Sequence, residues 1–297
     1  MKLHPLKSKD KPLIDKLLVV KSHKLSSFSF ASIFINRPLL DFFWAIEQDN
    51  LCIFAKDKSG CFLYLPPLGK KIPSSLVMKV FAFMDDLNEN KNVSRIENIE
   101  EGDLDICRKL GLKLRHKDDE YVCLRKDLIL LKGDRFKPKR AACNYFVKNY
   151  TYQYLPFDSS MKKACLELCK KWIKERKAKY TDSIYQAMLG DSLLSQEVAL
   201  YNFSSLGLVG RVIEVNNRIK GYSLGFRLNK DTFCVLFEIT DLAIKGLACF
   251  IFRQFCRELV DFKYINIMDD SGLDNLRRVK LSYRPIRKIP AYIATRN

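Results

Sequence analysis

A chain of 297 residues, 47% of them apolar, is long enough for two domains with a core each. Lys and Arg number 52 against 34 Asp and Glu, a net charge of +18, which predicts a large anionic partner, either nucleic acid or an anionic membrane surface. The longest uncharged runs, residues 25–36 and 198–210, are too short and polar to span a bilayer, and residues 1–24 lack a signal peptide's apolar core, so the expectation is a cytoplasmic protein, free or peripheral to a membrane.

Residues 1–25 read as an extension. Apolar stretches at 28–35, 42–54 and 61–65 predict strands, broken by Asn36-Arg37-Pro38 and by the turn residues 57–60. After Pro66-Pro67-Leu68-Gly69, the residues Leu76, Val80, Phe81 and Met84 recur at helical spacing. A strand at 96–99, a short helix at 103–110 and a hairpin over 112–124, turning at Lys117-Asp118-Asp119, complete a first domain at 26–131. Residues 132–157 form a basic linker and helix with Pro138 near its first turn. Cations beside the N–H groups of a helix start suit an anion, so Lys137, Lys139, Arg140 and Asn144 are candidate contacts to phosphate or tRNA, against the plainer reading of a solvated linker. Tyr145, Phe146, Tyr150, Tyr152 and Tyr154 are assigned to core packing in preference to base stacking.

The second domain is placed at 158–297. Asp158 or Ser159 caps a helix with Met161, Cys165, Leu168 and Trp172 on one face and Lys162, Lys163, Lys170, Lys171 and Lys174 on others. A helical region at 180–203 is expected to break at Gly190. Three antiparallel strands follow, the first two joined at Asn216-Asn217, a pair suited to the positive φ of a tight turn. In the second, Gly221, Ser223 and Gly225 leave one face almost bare, open to close approach by a ligand. In the third, strict alternation puts Phe233, Val235 and Phe237 on one side and Cys234, Leu236 and Glu238 on the other. Glu238 is thus a lone carboxylate on an apolar surface, which is costly unless it is used or neutralised, Arg211 and Arg227 being the candidate neutralisers. An apolar helix at 244–259, a strand at 264–267 and a helix led by Asp269 and Asp270, with Arg277 and Lys280 on its polar side, complete the domain. Capping alone accounts equally well for Asp269, Asp270 and Asp241.

Meander, crossover helix, strand and helix is the order of a GNAT-like acyltransferase, and both halves follow it: an α+β protein of tandem GNAT-like domains, each a mixed, mostly antiparallel sheet flanked by helices. The ten cysteines show no C-x-x-C pair and read as small core residues, so no metal site is expected. His4, His23 and His116 all lie in the first half, which denies the second a Ser-His or Cys-His nucleophile. No Walker loop or dinucleotide turn is present, and no cofactor is expected.

Tyr121-Val122-Cys123, residues 128–133, Lys139-Arg140, Asn144, Leu206-Gly207-Leu208, Asp231-Thr232, Phe237-Glu238, Asp241, Asn266, Asp270, Gly272, Leu276-Arg277, Lys280, Ser282-Tyr283 and Pro285 fall in an order that resembles the phosphatidylglycerol lysyltransferase C-terminal domain family, related to the Fem transferases. The resemblance implies an aminoacyltransferase that moves an amino acid, lysine by default, from aminoacyl-tRNA to a lipid such as phosphatidylglycerol or to another acceptor. For such a transfer, which needs a proton acceptor and a grip on the aminoacyl end, Glu238, Asp270 and Asn266 are the catalytic candidates and Asp241, Asp269, Arg277, Lys280 and Tyr283 the substrate-binding ones. The family's pattern carries a lysine after Phe-Glu and an arginine after the strand asparagine, where this chain has Ile239 and Ile267. An acyl-CoA-dependent enzyme is the alternative, although residues 242–248 match the pyrophosphate loop of acetyl-CoA enzymes poorly; an inactive basic binding module is a further one.

Overall fold

The computed structural model describes residues 1–296, which divide into two units: residues 1–120 with 288–296, and residues 121–287. Unit 1 opens with β1 (His4–Pro5) and α1 (Lys11–Leu18), which bring Leu6, Ile14 and Leu18 into the core, so residues 1–25 are part of the unit and not an extension. The apolar stretch expected as a first strand is α2 (Phe30–Ile35). Ser29 Oγ accepts the Ala31 N–H as an N-cap, and a six-residue run buried on every side carries no period to separate strand from helix. β2 (Asp41–Glu47), β3 (Asn50–Asp57) and β4 (Gly60–Leu63) form the antiparallel meander. α3 (Ser74–Leu87) buries the predicted Leu76, Val80, Phe81 and Met84 and leads to β5 (Arg95–Ile99), parallel to β4. α4 (Leu104–Lys109) precedes β6 (Lys113–Leu124), one continuous strand and not a hairpin. Buried carboxylates fasten the start of the chain: Glu100 accepts the Lys24 and Leu25 N–H groups and pairs with His23 at 3.0 Å, and Glu120 accepts the Ser26 N–H at 2.9 Å.

In unit 2, α5 (Arg125–Leu130) and α6 (Lys137–Asn149) precede β7 (Tyr152–Pro156). Phe146 is fully buried, with Tyr150, Tyr152 and Tyr154 packed on the same cluster, as core residues should be. α7 (Lys162–Lys179) and α8 (Ser183–Tyr201) pack together; α8 runs unbroken through Gly190, where a helical glycine costs only about 1 kcal/mol against alanine. α9 (Phe203–Leu206) leads into β8 (Val209–Val215), β9 (Arg218–Arg227) and β10 (Thr232–Thr240), an antiparallel meander whose first turn has Asn216 and Asn217 at φ 53° and 56°. α10 (Leu247–Glu258) crosses over to β11 (Tyr264–Asn266), parallel to β10, and α11 (Asp274–Leu281) follows.

Both units therefore repeat meander, crossover helix and parallel strand, the mixed α+β arrangement read from the sequence. Their last strands do not follow chain order. β6 ends in unit 2, antiparallel to β11, while β12 (Arg287–Thr295) lies antiparallel to β5 in unit 1. The division thus falls at 120/121 and 287/288, where the sequence-based reading has boundaries at 131/132 and 157/158; a strand's hydrophobic pattern says which residues are buried but not which neighbour covers them.

Candidate active site

β10 and β11 pair only over Thr232–Cys234 and Tyr264–Asn266, although β10 continues to Thr240. Beyond the fully buried Cys234 and Asn266 the pairing ends, and Glu238 on β10 and Asp270 in the loop after β11 both lie past that point. A β-bulge falls between Val235 and Phe237, so Leu236 has no opposite number on β9. The bulge inverts the alternation expected from sequence. Phe237 pairs with Leu224, and Glu238 pairs with Ser223, which places Glu238 on the face of Phe233, Val235, Gly221 and Gly225. The bare face predicted on β9 is filled by protein: a side chain at Gly225 would overlap the Phe233 ring, and one at Gly221 would meet Thr240 at 3.2 Å and Leu247 at 3.5 Å.

Glu238 as a residue is half-buried, but its Oε2 is sealed from solvent and has no hydrogen-bond partner among the described residues; the same holds for Ser223 Oγ opposite it. Burial pushes the Glu238 carboxyl up to about 8, with Lys139 pulling the other way. The arginines considered as neutralisers are occupied elsewhere: Arg211 pairs with Glu258, and Arg227 lies 5.3 Å from the Phe262 ring.

The loop after β11 is folded by successive side-chain caps. Asn266 Oδ1 accepts the Met268 N–H at 2.7 Å, Asp269 Oδ1 the Ser271 N–H at 2.7 Å, and Asp270 Oδ1 the Gly272 N–H at 3.0 Å. These hold Met268 and Ser271 at φ 59° and 52°, conformations that side-chain-bearing residues seldom adopt. Asp270 Oδ2 also accepts from Tyr121 Oη at 2.6 Å and from Arg277 Nε at 3.0 Å. Burial opposes the Asp270 charge, but these donors outweigh it and hold the carboxyl below its ordinary range. Burial and the Asp270 bond together raise the Tyr121 phenol to about 12. Lys280 Nζ donates to the Ile267 carbonyl, steadying the same loop.

The remaining candidates are placed as follows. Asp241 accepts from Lys171 at 2.9 Å, Lys220 at 2.8 Å and the Ala243 N–H at 3.1 Å; against burial, these bring it to about 2, and they tie α7 and β9 to the lead-in of α10. Tyr283 is buried against Phe252, at 4.6 Å, with Lys139 Nζ 3.7 Å from its ring centre. Arg140 donates to the Leu131 and Gly133 carbonyls, whereas Lys137 and Asn144 are exposed on α6. Ile239 and Ile267, where the family pattern has charges, are buried, the latter in the core cluster that also holds Tyr121 and Tyr283. Tyr121, Ser223 and Cys249 gain their places only through tertiary structure: Tyr121 on Asp270, Ser223 opposite Glu238, and Cys249 in the field of Lys139 and Glu238.

A family profile described as "Phosphatidylglycerol lysyltransferase, C-terminal" matches residues 20–295. The chain belongs to that family. Solved structures share the fold. A conserved protein of unknown function from Bacteroides thetaiotaomicron VPI-5482 is 24% identical over all of both chains, with a TM-score of 0.89. L-PGS from Bacillus licheniformis is 17% identical, with 97% of this chain and 92% of that one aligned and a TM-score of 0.65. FemX is 9% identical, with 98% and 97% aligned and a TM-score of 0.59. Comparison with curated proteins gives no match. The lysyltransferase-family domain has no helix, among the described residues, that is long and apolar enough to cross a membrane.

Proposed function

We propose that unit 2 is an aminoacyltransferase that carries an amino acid, lysine first among the candidates, from aminoacyl-tRNA to the hydroxyl of phosphatidylglycerol or to another acceptor. The observation that carries this reading is the pair of carboxyls past the end of the β10–β11 pairing, one pushed up by burial and one held down by its donors. An aminoacyl ester is already activated, so transfer needs a proton acceptor, a grip on the cationic substrate and little else.

Glu238, at about 8, changes protonation near neutral pH and serves as the proton carrier. It takes the proton as the acceptor's oxygen bonds to the ester carbonyl carbon, and returns it to the ribose oxygen as the carbon–oxygen ester bond breaks. Asp270 stays ionised and grips the α-ammonium of the aminoacyl end; three donors already fill most of its acceptor positions, leaving room for one more. Arg277, half-exposed and held by Asp270, faces anionic parts of the donor. The exposed Lys137 and the lysines of α7 supply the electrostatic attraction for tRNA and Asn144 a hydrogen-bond donor beside Lys137, with the reaction on the cytoplasmic side and the acceptor reached at a membrane surface.

An acyl-CoA donor is disfavoured by the start of α10. Gly246, at φ 87°, lies so close to the Ala142 carbonyl of α6 that a side chain there would overlap it, so α6 occupies the approach to the position of the pyrophosphate loop in acetyl-CoA enzymes. The test is a matrix of donors and acceptors: labelled aminoacyl-tRNAs and labelled acetyl-CoA, each offered vesicles containing phosphatidylglycerol and a lysine-bearing peptide. Label should leave an aminoacyl-tRNA and appear on an acceptor. Transfer from acetyl-CoA alone, or from neither donor, would overturn the reading.

A further inference from the structure

Lys139 does not point where a phosphate-binding lysine of a basic loop is expected. It stands in the first turn of α6, half-buried, with its ammonium 3.7 Å from the centre of the buried Tyr283 ring. A desolvated cation on an aromatic face is held by about 0.5–2 kcal/mol, enough to fix its position. The groups that face Glu238 can be named element by element: Lys139 on α6, Cys249 and Cys256 on α10, Tyr283 after α11, and Ser223 across the ladder on β9. Burial pushes both thiols and the Tyr283 phenol up, which leaves them uncharged at neutral pH, and Ser223 does not titrate. Tyr283 packs in the core cluster of Phe233 and Val235, on the face of β10 that Glu238 shares, so the ammonium seated on its ring stands on the Glu238 side of the sheet, where it favours the ionised carboxyl.

We propose that Lys139 is a positioning residue for proton transfer: seated on the Tyr283 ring, it is the fixed counter-charge against which Glu238 gives up its proton, not a contact to the donor's phosphates. The inference rests on the role given to Glu238 above and adds what controls it. Without the ammonium, an ionised Glu238 would face only neutral groups around an Oε2 that is sealed from solvent, and its protonated form would persist to higher pH. Tyr283 enters as the seat of the cation, a role its ring plays without its hydroxyl.

The experiment follows the carboxyl directly. Full-length protein labelled with carboxyl-13C glutamate is titrated by NMR, and the Glu238 resonance is identified by its loss in Glu238→Gln. Relative to wild type, Lys139→Met should move the Glu238 midpoint up by about one pH unit, while Lys139→Arg and Tyr283→Phe should leave it within a few tenths. Tyr283→Leu, which removes the seat and keeps the lysine, should move it upward like Lys139→Met and serves as the second route to the same answer. In transfer assays, the pH–rate profile of Lys139→Met should shift by the same amount, with KM for the tRNA and its salt dependence unchanged. An unmoved Glu238 midpoint in both Lys139→Met and Tyr283→Leu overturns the proposal. So does a raised KM with a shallower salt dependence and an unmoved pH profile, which would make Lys139 a phosphate contact. The NMR titration needs no turnover, so failure of aminoacyl transfer itself would be distinguishable from failure of this inference.

Discussion

Replacing Glu238 with Gln should stabilise the protein in mild alkali while removing transfer. A glutamate in solution ionises near 4.5, whereas the buried carboxyl of Glu238 is pushed up to about 8. Because the folded-state pKa is the higher one, the folded state holds this proton more tightly than the unfolded state does. The stability so gained is complete below about pH 4.5 and is lost as the pH climbs towards 8. At about 1.4 kcal/mol per pH unit, wild type should lose about 3 kcal/mol between pH 5 and pH 8 that the uncharged variant retains. Urea unfolding of both proteins across that range measures the difference, and every other titrating group is common to the two and cancels. The gap between the curves should widen steadily with pH in favour of Glu238→Gln. Parallel curves would show that the carboxyl is solvated, and the reasoning about its proton would fail with it.

Asp270→Asn keeps the shape of the loop but removes the buried charge that accepts from Tyr121 and Arg277, and should cost about 1–3 kcal/mol at pH 7 in a thermal or urea melt. Since the Asp270 pKa is held below its ordinary value, that deficit should shrink as the pH falls through the acid range and wild type loses the same interaction. Gly246→Ala demands both a positive φ and space already taken by the Ala142 carbonyl, and should destabilise by more than about 2 kcal/mol. Gly190→Ala, within α8 at an ordinary helical φ and with open space around it, is the control and should stabilise by up to about 1 kcal/mol. Binding of tRNA, followed by fluorescence anisotropy, should weaken by about a thousandfold between 50 and 200 mM salt if on the order of six phosphates are contacted; a flat salt dependence would remove the polyanion from the account.

Much of unit 2 is legible in its sequence because the local signals agree. Asn216-Asn217 supplies the one turn chemistry that closes a two-residue hairpin, and the α10 stripe has a helical period that no strand could use. The same agreement exposes Glu238 as an unusual acid. What strict alternation cannot supply is the bulge at Leu236, which no glycine or proline marks; one unpaired residue exchanges the faces of everything after it and gives Glu238 the company of Ser223 instead of Cys234. Gln48-Asp49 conceals a turn for a related reason, since both residues take positive φ without the usual Asn or Gly, so two strands read as one. Lys139 and Arg140 are adjacent in a basic run that looks solvated, yet one is drawn onto a buried ring and the other onto two backbone carbonyls. Sequence gives the charge of such residues; only packing gives their direction.

The most direct trial of the central claim sets wild type beside Glu238→Gln, each incubated with radiolabelled lysyl-tRNA and phosphatidylglycerol vesicles, with tRNA binding measured on the same samples. The account predicts labelled lipid with wild type, at least a hundredfold less with the variant, and equal tRNA affinity for both. Undiminished lipid labelling by Glu238→Gln would contradict it.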